Sequence, residues 1–463
     1  MKPPTAGATV GFASAAMLVS YLPFSAVNGV LGVIGGTAGV GTSSLQWVTD
    51  AFTVALTGAV LSGGALAERY GRRRVTLLGL ALTVAGCLAG FVAGGLAGAG
   101  AVHGLWAGQA VAGVGAGLVM SATLSLIAAT APTPAARTRA IALWAAANVA
   151  GLGSGPFLSA AVPSWRWLFP PVALLALGVA VFGRARSREV RDDGAARPDR
   201  LGQLTGTIGV LTLVYGVIQA GSVGWTDPGA LIGLIAGVVI LGVFLLVEQR
   251  AANPVLRPAL FASPGFTAAG AAAAAALFTM IGVVFVASLA FAQQHVDGLG
   301  IAVRLGCLFA GNAIASVAAG RLQARLGSPA VLLGGLVVAI AGLVTLLGSA
   351  FGTGLADVAW RLVVVGAGSG AVIATSTAVA VQSVAGRLAG MAGTANNVIR
   401  QLGAALGTAV LGGVLASRLD AGAGLVPAVH RCVAVLLVVM SVAVVIAAPL
   451  LIRRTPIVEG ELA

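Results

Sequence analysis

The chain contains 463 residues, of which 58% are hydrophobic and only 8% are charged. Soluble proteins carry about 25% charged residues, so this composition excludes a soluble protein of this length and indicates an integral membrane protein. The formal net charge of +13 does not indicate nucleic-acid binding, because the basic residues lie in short segments between apolar runs. Lys2 is the only lysine and follows Met1 alone, which excludes a Walker A site for ATP.

Fourteen apolar runs are long enough to cross a bilayer, which requires about 20 predominantly apolar residues. The first run is interpreted as a helix and not as a cleaved signal, because it is long enough to span. The predicted fold is therefore an all-α integral membrane protein with fourteen transmembrane helices. The predicted spans comprise residues 11–34, 46–67, 75–97, 102–129, 140–162, 168–183, 201–220, 229–247, 266–291, 301–320, 329–350, 357–382, 394–417 and 431–452.

The basic residues are distributed unevenly between the two sides of the predicted spans. With the N-terminus in the cytoplasm, the cytoplasmic segments hold 20 of the 26 basic residues. Positively charged loops stay in the cytoplasm, so we expect a multi-pass protein of the cytoplasmic (inner) membrane with both termini cytoplasmic.

Three short motifs occur in the same order in both ends of the chain, at offsets of 252 to 256 residues. They are G-x-L-x-x-R-x-G at 64–71 and 320–327, GVGAG at 113–117 with GAGSG at 366–370, and paired glycines at 151/155 and 403/407. The pattern predicts that spans 1–6 and 9–14 are parallel repeats, with two further central helices inserted between them. Parallel six-helix halves around a midplane site are typical of transporters.

The repeats define a predicted domain organisation, in which polar linkers separate the helical halves. The predicted parts are an N-terminal six-helix half (1–183), a cytoplasmic linker (184–200), two inserted helices (201–247), a second cytoplasmic linker (248–265), a C-terminal six-helix half (266–452) and a cytoplasmic tail (453–463).

Asp50 is the candidate proton carrier. It lies early in the second span, and a carboxyl group in apolar surroundings can bind and release a proton near neutral pH. The alternative is a structural role, in which the charge stabilises a helix N-terminus that Ser43 or Ser44 caps.

Arg400 lies within the thirteenth span, about six residues after its predicted start, or roughly 9 Å deep. It either faces a central cavity as a fixed cation or extends back to the cytoplasmic interface. Polar residues within other spans are further candidates for the cavity wall. The cavity candidates are Asn28, Gln109, Asn148, Asn397 and Arg400.

The loop GALAERYGRRR (64–74) combines glycines with charges of both signs. We expect it to form a latch at the cytoplasmic rim, in which Glu68 pairs with Arg72 or Arg73. A positively charged anchor would explain the arginines but not Glu68 or the glycines, of which Gly64 would permit close helix approach and Gly71 a tight turn. The latch candidates are Gly64, Glu68, Arg69, Gly71, Arg72 and Arg73.

The fifth span contains GLGSGPF (151–157), in which Gly151 and Gly155 are spaced for close helix packing and Pro156 is expected to kink the helix. No cofactor is predicted, because the glycine motifs of spans 4 and 12 lie mid-span and follow no strand. No metal site is predicted either, because His103, His295 and His430 are far apart in the sequence.

Six segments together resemble the major facilitator superfamily, and within it the fourteen-span drug:proton antiporter branch. They are LQWVTDAF (45–52), GALAERYGRRR (64–74), GLGSGP (151–156), WRWLF (165–169), NPVLRPALFASPGF (253–266) and GMAGTANNVIRQLGAALGTAVLG (390–412). The resemblance implies that the second segment is motif A, with Glu68 where Asp is usual, and the third is motif C, which is associated with antiporters. It also implies that Asp50 and Arg400 occupy the branch's Asp and Arg positions.

The chain departs from that branch at positions thought to serve proton coupling. Pro23 stands where the branch has Asp, and Gln109 stands where it has Arg. In motif C, Ser159 and Ala160 replace paired glycines. The departures imply either an uncoupled transporter or coupling that rests on Asp50 alone.

These observations predict an efflux transporter that exports a hydrophobic or amphipathic small molecule, such as a drug or secondary metabolite, in exchange for protons. The expected partners are this molecule, protons and the lipid bilayer, without nucleic acid or an obligate protein partner. The alternatives are an uncoupled facilitator of the same fold and a non-transporting membrane sensor. An enzyme acting on lipid-linked substrates is disfavoured, because the predicted outer loops hold only isolated carboxylates.

Overall fold

The computed structural model of the protein describes residues 6–191, 199–251, 254, 256–349, 351, 354–385 and 388–452. Several sequence features discussed above lie outside these ranges. They are Lys2, residues 192–198 of the first linker, residues 252, 253 and 255 of the second linker, and the tail 453–463.

Within the described residues the chain forms fifteen α-helices. They are α1 (Ala6–Asn28), α2 (Leu31–Ala38), α3 (Thr42–Tyr70), α4 (Arg72–Ala93), α5 (Gly98–Thr130), α6 (Pro134–Ala160), α7 (Phe169–Arg186), α8 (Arg200–Val223), α9 (Pro228–Arg250), α10 (Pro264–Gln293), α11 (Gly298–Leu326), α12 (Ser328–Leu346), α13 (Leu355–Gln382), α14 (Ala389–Asp420) and α15 (Leu425–Ile452). Two short 3-10 helices, Trp165–Leu168 and Pro258–Ala262, precede α7 and α10.

The predicted number of fourteen spans is confirmed when the bent helix α3 counts as one span. Among the described residues, thirteen helices are long and apolar enough to cross a membrane, and α3, which bends by 51° between Val60 and Ser62, is the fourteenth. In the part of the chain that the structure describes, five helix starts carry a side-chain cap, in which a hydroxyl or carboxylate oxygen accepts a hydrogen bond from a backbone N–H of the first turn. The capping residues are Thr133, Asp199, Asp227, Ser263 and Asp297.

The first predicted span, 11–34, is wrong in its extent. The helix α1 ends at Asn28, and the separate eight-residue helix α2 begins at Leu31. At the break, Gly29 approaches α6 so closely that a Cβ atom there would lie 3.0 Å from the Cα of Pro156. The break could not be located from hydropathy, because the apolar run continues through it.

Successive spans run in opposite directions, because each connection returns the chain to the next span at the same end of the bundle. One end of the bundle therefore collects the helix ends at Tyr70, Thr130, Arg186, Arg250, Leu326, Gln382 and Ile452, and we call it the arginine-rich face. The other end, which we call the opposite face, collects the ends at Asn28, Ala93, Ala160, Val223, Gln293, Leu346 and Asp420.

The same helix pairings occur in both repeats. The pairs α1–α6, α3–α5 and α4–α5 correspond to α10–α14, α11–α13 and α12–α13. The central helices α1 and α10 are the most enclosed of the candidate spans, whereas most of α9 and α15 is exposed on the surface of the bundle. The inserted helix α8 packs against both α3 and α14, and α9 packs on α8.

The repeated glycine motifs mark the closest of these helix contacts. In α6, Gly151 faces the Leu18 backbone of α1, and in α14, Gly403 faces the Ala274 backbone of α10. The glycines of GVGAG and GAGSG behave in the same way, because the outer glycines bring α5 against α3 and α13 against α11, and the middle glycines bring α5 against α4 and α13 against α12. A side chain at these positions would collide with backbone atoms, so the glycines allow the helices to approach.

The two repeats meet along α3 with α14, along α6 with α11, and where α2 and the end of α1 reach α10. Ser288 of α10 donates a hydrogen bond to the backbone carbonyl of Asn28. A Cβ atom on Gly306 of α11 would lie 3.1 Å from the ring of Phe157 on α6. These contacts lie toward the opposite face.

We expect Gly115→Val to destabilise the protein, because a Cβ atom there would lie 2.5 Å from the carbonyl oxygen of Gly79 on α4. Overpacking of this kind costs about 1–3 kcal/mol. Gly100→Val on the same helix is the control, because no atom lies within 4 Å of the corresponding Cβ position. Thermal unfolding in detergent would measure both, and equal melting temperatures would contradict the packing role of Gly115.

Candidate functional site

Asp50 is buried on α3, where it faces α14. The hydroxyl of Thr408 on α14 donates a hydrogen bond to Asp50 Oδ1. The second oxygen, Oδ2, is buried without a hydrogen-bond partner in the described part of the chain. One turn earlier on α3, the side-chain amide of Gln46 donates to the carbonyl oxygen of Ala409 at 3.0 Å. Asp50 therefore lies in the interface between the two repeats.

The structure disfavours the alternative that Asp50 serves the helix N-terminus. The helix α3 begins at Thr42, so Asp50 lies eight residues after the start and not one turn from it. Its N-cap residue is Gly41, which has no side chain that could form a cap. The helix dipole acts mainly within the first turn, so it does not explain a carboxylate at this depth.

Arg400 lies eleven residues after the start of α14, or roughly 16 Å along the helix, which is deeper than the predicted 9 Å. Its guanidinium donates a hydrogen bond to Oδ1 of Asn397 on the same helix. Within the described ranges no carboxylate lies within ion-pair distance of Arg400. The predicted cavity candidates Asn397 and Arg400 are thus in direct contact.

Three further side chains complete this polar group, which we call the Arg400 cluster: Tyr21, Met120, Asn397, Arg400 and Gln401. The amide of Gln401 donates to the hydroxyl of Tyr21 at 2.9 Å. The amides of Gln401 and Asn397 and the hydroxyl of Tyr21 all lie within 3.3–3.7 Å of the Met120 sulfur. The cluster joins α1 and α5 of the N-terminal repeat to α14 of the C-terminal repeat.

The other cavity candidates lie apart from this cluster. Asn28 is buried at the end of α1, where its Oδ1 accepts a hydrogen bond from Thr49 and its amide donates to Phe24. Asn148 is half-buried on α6, and its amide nitrogen has no hydrogen-bond partner among the described residues.

Gln109 and Pro23, the two departures from the branch's charged positions, are in contact. The side-chain amide of Gln109 on α5 donates to the carbonyl oxygen of Pro23 on α1 at 3.1 Å. Gln109 is buried, and its Oε1 has no hydrogen-bond partner among the described residues. A neutral hydrogen bond therefore occupies the place where the resemblance implies an Asp and an Arg.

The loop after α3 forms a charged contact, but with a different carboxylate from the expected one. Glu68 is exposed and forms no ion pair with Arg72 or Arg73. Glu189 lies in the segment after α7, and its Oε2 is 3.5 Å from Nε of Arg73 and 3.9 Å from Nε of Arg74. The expected partner was wrong because Glu68 points out of the bundle on α3.

Glu189 also caps the N-terminus of α4. Its two carboxylate oxygens accept hydrogen bonds from the backbone N–H groups of Arg73 and Arg74, at 3.0 and 3.2 Å. The backbone N–H of Arg72 donates to the carbonyl oxygen of Val190 at 3.1 Å. Gly71 has a φ of +104°, as expected of the tight turn between α3 and α4.

Gly64 of the same loop differs from the expectation, and Arg69 contacts an aromatic ring. The position of Gly64 is open, since no atom lies within 4 Å of a Cβ built there, so the expected close helix approach at Gly64 is wrong. Its neighbour Gly63 makes that approach, with a Cβ position 3.0 Å from Ser121 on α5. The guanidinium of Arg69 lies over the ring of Tyr70.

The α6 motif packs against α1. Ser25 of α1 donates to the carbonyl oxygen of Gly151 at 2.9 Å, and Gly155 faces the backbone between Ser25 and Ala26. Helix α6 continues through Pro156 to Ala160, so the expected kink does not break the helix. The Ser159 hydroxyl donates to the carbonyl oxygen of Pro156 at 2.6 Å.

Sequence reasoning missed Thr408, Tyr21 and Met120. Their residue types give no signal of function, because threonine, tyrosine and methionine are common within apolar helices. Gln401 carried a weak signal, since it adjoins Arg400 in the sequence.

Comparison with known proteins identifies relatives along most of the chain. Residues 13–408 match the family model described as Major Facilitator Superfamily. The chain is 31% identical to the multidrug resistance protein Stp of Mycobacterium tuberculosis, over 88% of this chain and 75% of that protein. It is 29% identical to a methylenomycin A resistance protein of Bacillus subtilis, over 88% and 87%.

A solved structure has a similar fold. It is a bacterial homologue of the human lysosomal transporter Spinster, in an inward-facing and unoccupied conformation. The TM-score is 0.66 at 15% sequence identity, and the match covers 97% of both chains.

We expect Glu189→Ala to lower the thermal stability of the protein, because it removes a carboxylate from two backbone N–H groups and two arginines. Loss of a capping side chain costs about 1 kcal/mol. Glu68→Ala should leave the melting temperature unchanged and is the matched control. A larger effect of Glu68→Ala than of Glu189→Ala would restore Glu68 as the loop's carboxylate partner.

Proposed function

The chain belongs to the Major Facilitator Superfamily, and we propose that it exports a hydrophobic or amphipathic small molecule in exchange for protons. It is a multi-pass membrane transporter protein of a family whose members here include proteins named for multidrug and methylenomycin A resistance. The proposal extends export of a drug or secondary metabolite from these relatives to this chain.

The buried carboxylate of Asp50 is the observation that carries the proposal. It bridges the interface between the repeats through Thr408, and its Oδ2 is buried without a hydrogen-bond partner among the described residues. A proton bound at Oδ2 would neutralise a charge that is costly to hold in a membrane interior. The Thr408 hydroxyl can donate to the ionised carboxylate or accept from the protonated one, so it supports both states.

Proton exchange is proposed because Asp50 lies between α3 and α14. These helices belong to the two repeats, which move relative to each other in a rocking transporter. Protonation removes the charge, and deprotonation restores it, so the relative stability of α3–α14 arrangements depends on the bound proton. In this proposal the polar side chains Asn28, Gln109, Asn148, Asn397 and Arg400 contribute to the substrate path. The glycines and proline of α6, Gly151, Gly155 and Pro156, set how closely α6 and α1 pack.

The loop between α3 and α4 is proposed to stabilise one arrangement of the arginine-rich face. Arg73 and the turn at Gly71 take part through Glu189, which ties the start of α4 to the segment after α7. Glu68, Arg69, Arg72 and Gly64 belong to the same loop, with Glu68 free to meet another partner in a different arrangement.

An uncoupled facilitator of the same fold is the second candidate. The neutral contact between Gln109 and Pro23 favours it, because it stands where the branch carries charged groups. Proton exchange in this chain would then have no titratable pair at that position, and transport would follow the substrate gradient.

The orientation proposed here places the arginine-rich face and both termini in the cytoplasm, with the protein in the cytoplasmic membrane. The excess of basic residues on that side is the supporting observation.

Asp50→Asn separates the two candidate functions. We expect everted vesicles with an imposed pH gradient to show dissipation when a transported member of a panel of cationic, neutral and anionic amphiphiles is added. In Asp50→Asn the dissipation should fall to the level of vesicles without the protein, because no proton can bind. Asp420→Asn, at the exposed end of α14, is the control and should keep full activity. Undiminished dissipation in Asp50→Asn would contradict proton transfer at Asp50, and labelled-compound equilibration without any dissipation would identify a facilitator.

Cysteine labelling tests the orientation. In a variant whose three cysteines are replaced by alanine, we expect a membrane-impermeant maleimide to label Asp420→Cys in intact cells. Arg139→Cys, at the arginine-rich face, should react only after permeabilisation. Both positions are exposed, so the reverse pattern would show that the proposed orientation is inverted.

A further inference from the structure

Three hydrogen-bond donors converge on a single sulfur atom in the Arg400 cluster. The side-chain amides of Gln401 and Asn397 lie 3.3 and 3.5 Å from Met120 Sδ, and the hydroxyl of Tyr21 lies 3.7 Å from it. The Gln401 amide also donates to the Tyr21 hydroxyl at 2.9 Å. A thioether is a weak acceptor, so the Asn397 amide and the Tyr21 hydroxyl, which donate to it, are poorly satisfied. Polar groups within a membrane protein normally meet stronger partners, because the hydrocarbon provides none.

A cation adjoins these donors. Arg400 uses one of its N–H groups on Asn397, and in the described part of the chain no carboxylate lies within ion-pair distance. Asp50 does not supply the counter-charge, because its partner Thr408 lies eight residues, or roughly 12 Å, further along α14. The cluster therefore carries an excess of donors and a positive charge.

Met120 is suited to occupy such a site temporarily. It is buried, and methionine is unbranched, with three rotatable bonds that let it fill irregular space and move aside. An oxygen atom in place of its sulfur would accept hydrogen bonds from the same donors, one of which, Asn397, also accepts a hydrogen bond from the Arg400 guanidinium.

We propose that the Arg400 cluster binds the anionic head group, a carboxylate or sulfonate, of the exported molecule, and that Met120 occupies this position between substrates. The inference rests on the proposed function, since it assigns a class of substrate to the proposed exporter. A cationic head group is disfavoured, because the cluster offers donors and a guanidinium but no carboxylate.

The test compares two probes that share one ring system. The full-length protein is reconstituted in lipid nanodiscs near neutral pH, and binding of 1-naphthaleneacetate and of 1-naphthylmethylammonium is measured by equilibrium dialysis. Empty nanodiscs correct for partition into lipid. We expect the anion to bind about tenfold or more tightly than the cation, as for a charge-assisted hydrogen bond in a dehydrated site.

Variants assign this preference to the cluster. Arg400→Gln should remove the preference for the anion, and Arg400→Lys should keep part of it, because the charge remains. Arg418→Gln, at the exposed end of the same helix, is the matched control and should bind like the unmodified protein. Elution as a single species in size-exclusion chromatography and an unchanged melting temperature confirm that each variant is folded.

Met120→Leu keeps the size of the side chain and removes the sulfur. We expect Met120→Leu to keep the preference for the anion over the cation, because the proposal assigns the anion to the donors and the guanidinium and not to the sulfur. Loss of the anion preference in Met120→Leu would overturn the proposal, as would tighter or equal binding of the cation, or no anion binding up to millimolar concentration.

The outcome is independent of proton coupling. Binding is measured without a pH gradient, so a facilitator would also show the anion preference. An exporter that dissipates the gradient through Asp50 but prefers the cation would retain the proposed function and lose this inference.

Discussion

Each polar group within this bundle has to find its partner inside the protein, because the surrounding hydrocarbon offers none. The helices satisfy the backbone, and paired glycines such as Gly151 and Gly403 let helices approach at backbone distance in both repeats. These helix contacts are stabilised by packing, so they do not require polar side chains. Asp50, Thr408 and the Arg400 cluster lie where the repeats meet, which is where a change in their relative position would alter polar contacts most.

The helix α14 connects two polar centres of opposite charge. Thr408 meets Asp50 of α3, and two turns earlier Arg400 and its neighbours meet Tyr21 of α1 and Met120 of α5. Both centres thus join the same C-terminal helix to helices of the N-terminal repeat. A movement of α14 would change the surroundings of both centres at once. In the proposed function, ligand binding at the Arg400 cluster and protonation of Asp50 would therefore act through the same helix. This is the physical basis on which exchange of two solutes can depend.

The sequence could predict the spans, the repeats and the glycine contacts, because hydropathy and spacing are properties of one chain segment at a time. The break at Gly29 escaped prediction, since the apolar run continues through it. The capping of α4 by Glu189 also escaped it, because 115 residues separate Glu189 from Arg74 and only the fold brings them together. In the candidate site, Asp50 and Arg400 were identifiable as charges within spans. Tyr21, Met120 and Thr408 were not, because their role comes from neighbours on other helices.

The inserted helix α8 connects the two repeats at different heights. Toward the arginine-rich face, a Cβ atom on Gly58 of α3 would lie 2.8 Å from the methyl group of Thr207 on α8. Toward the opposite face, Gly221 approaches Gly413 of α14 so closely that a Cβ atom would lie 2.6 Å from the Gly413 Cα. A tilt of one repeat against the other therefore has to slide or tilt α8 as well. Under the proposed rocking mechanism, the contacts of α8 with both repeats would therefore change in each transport cycle.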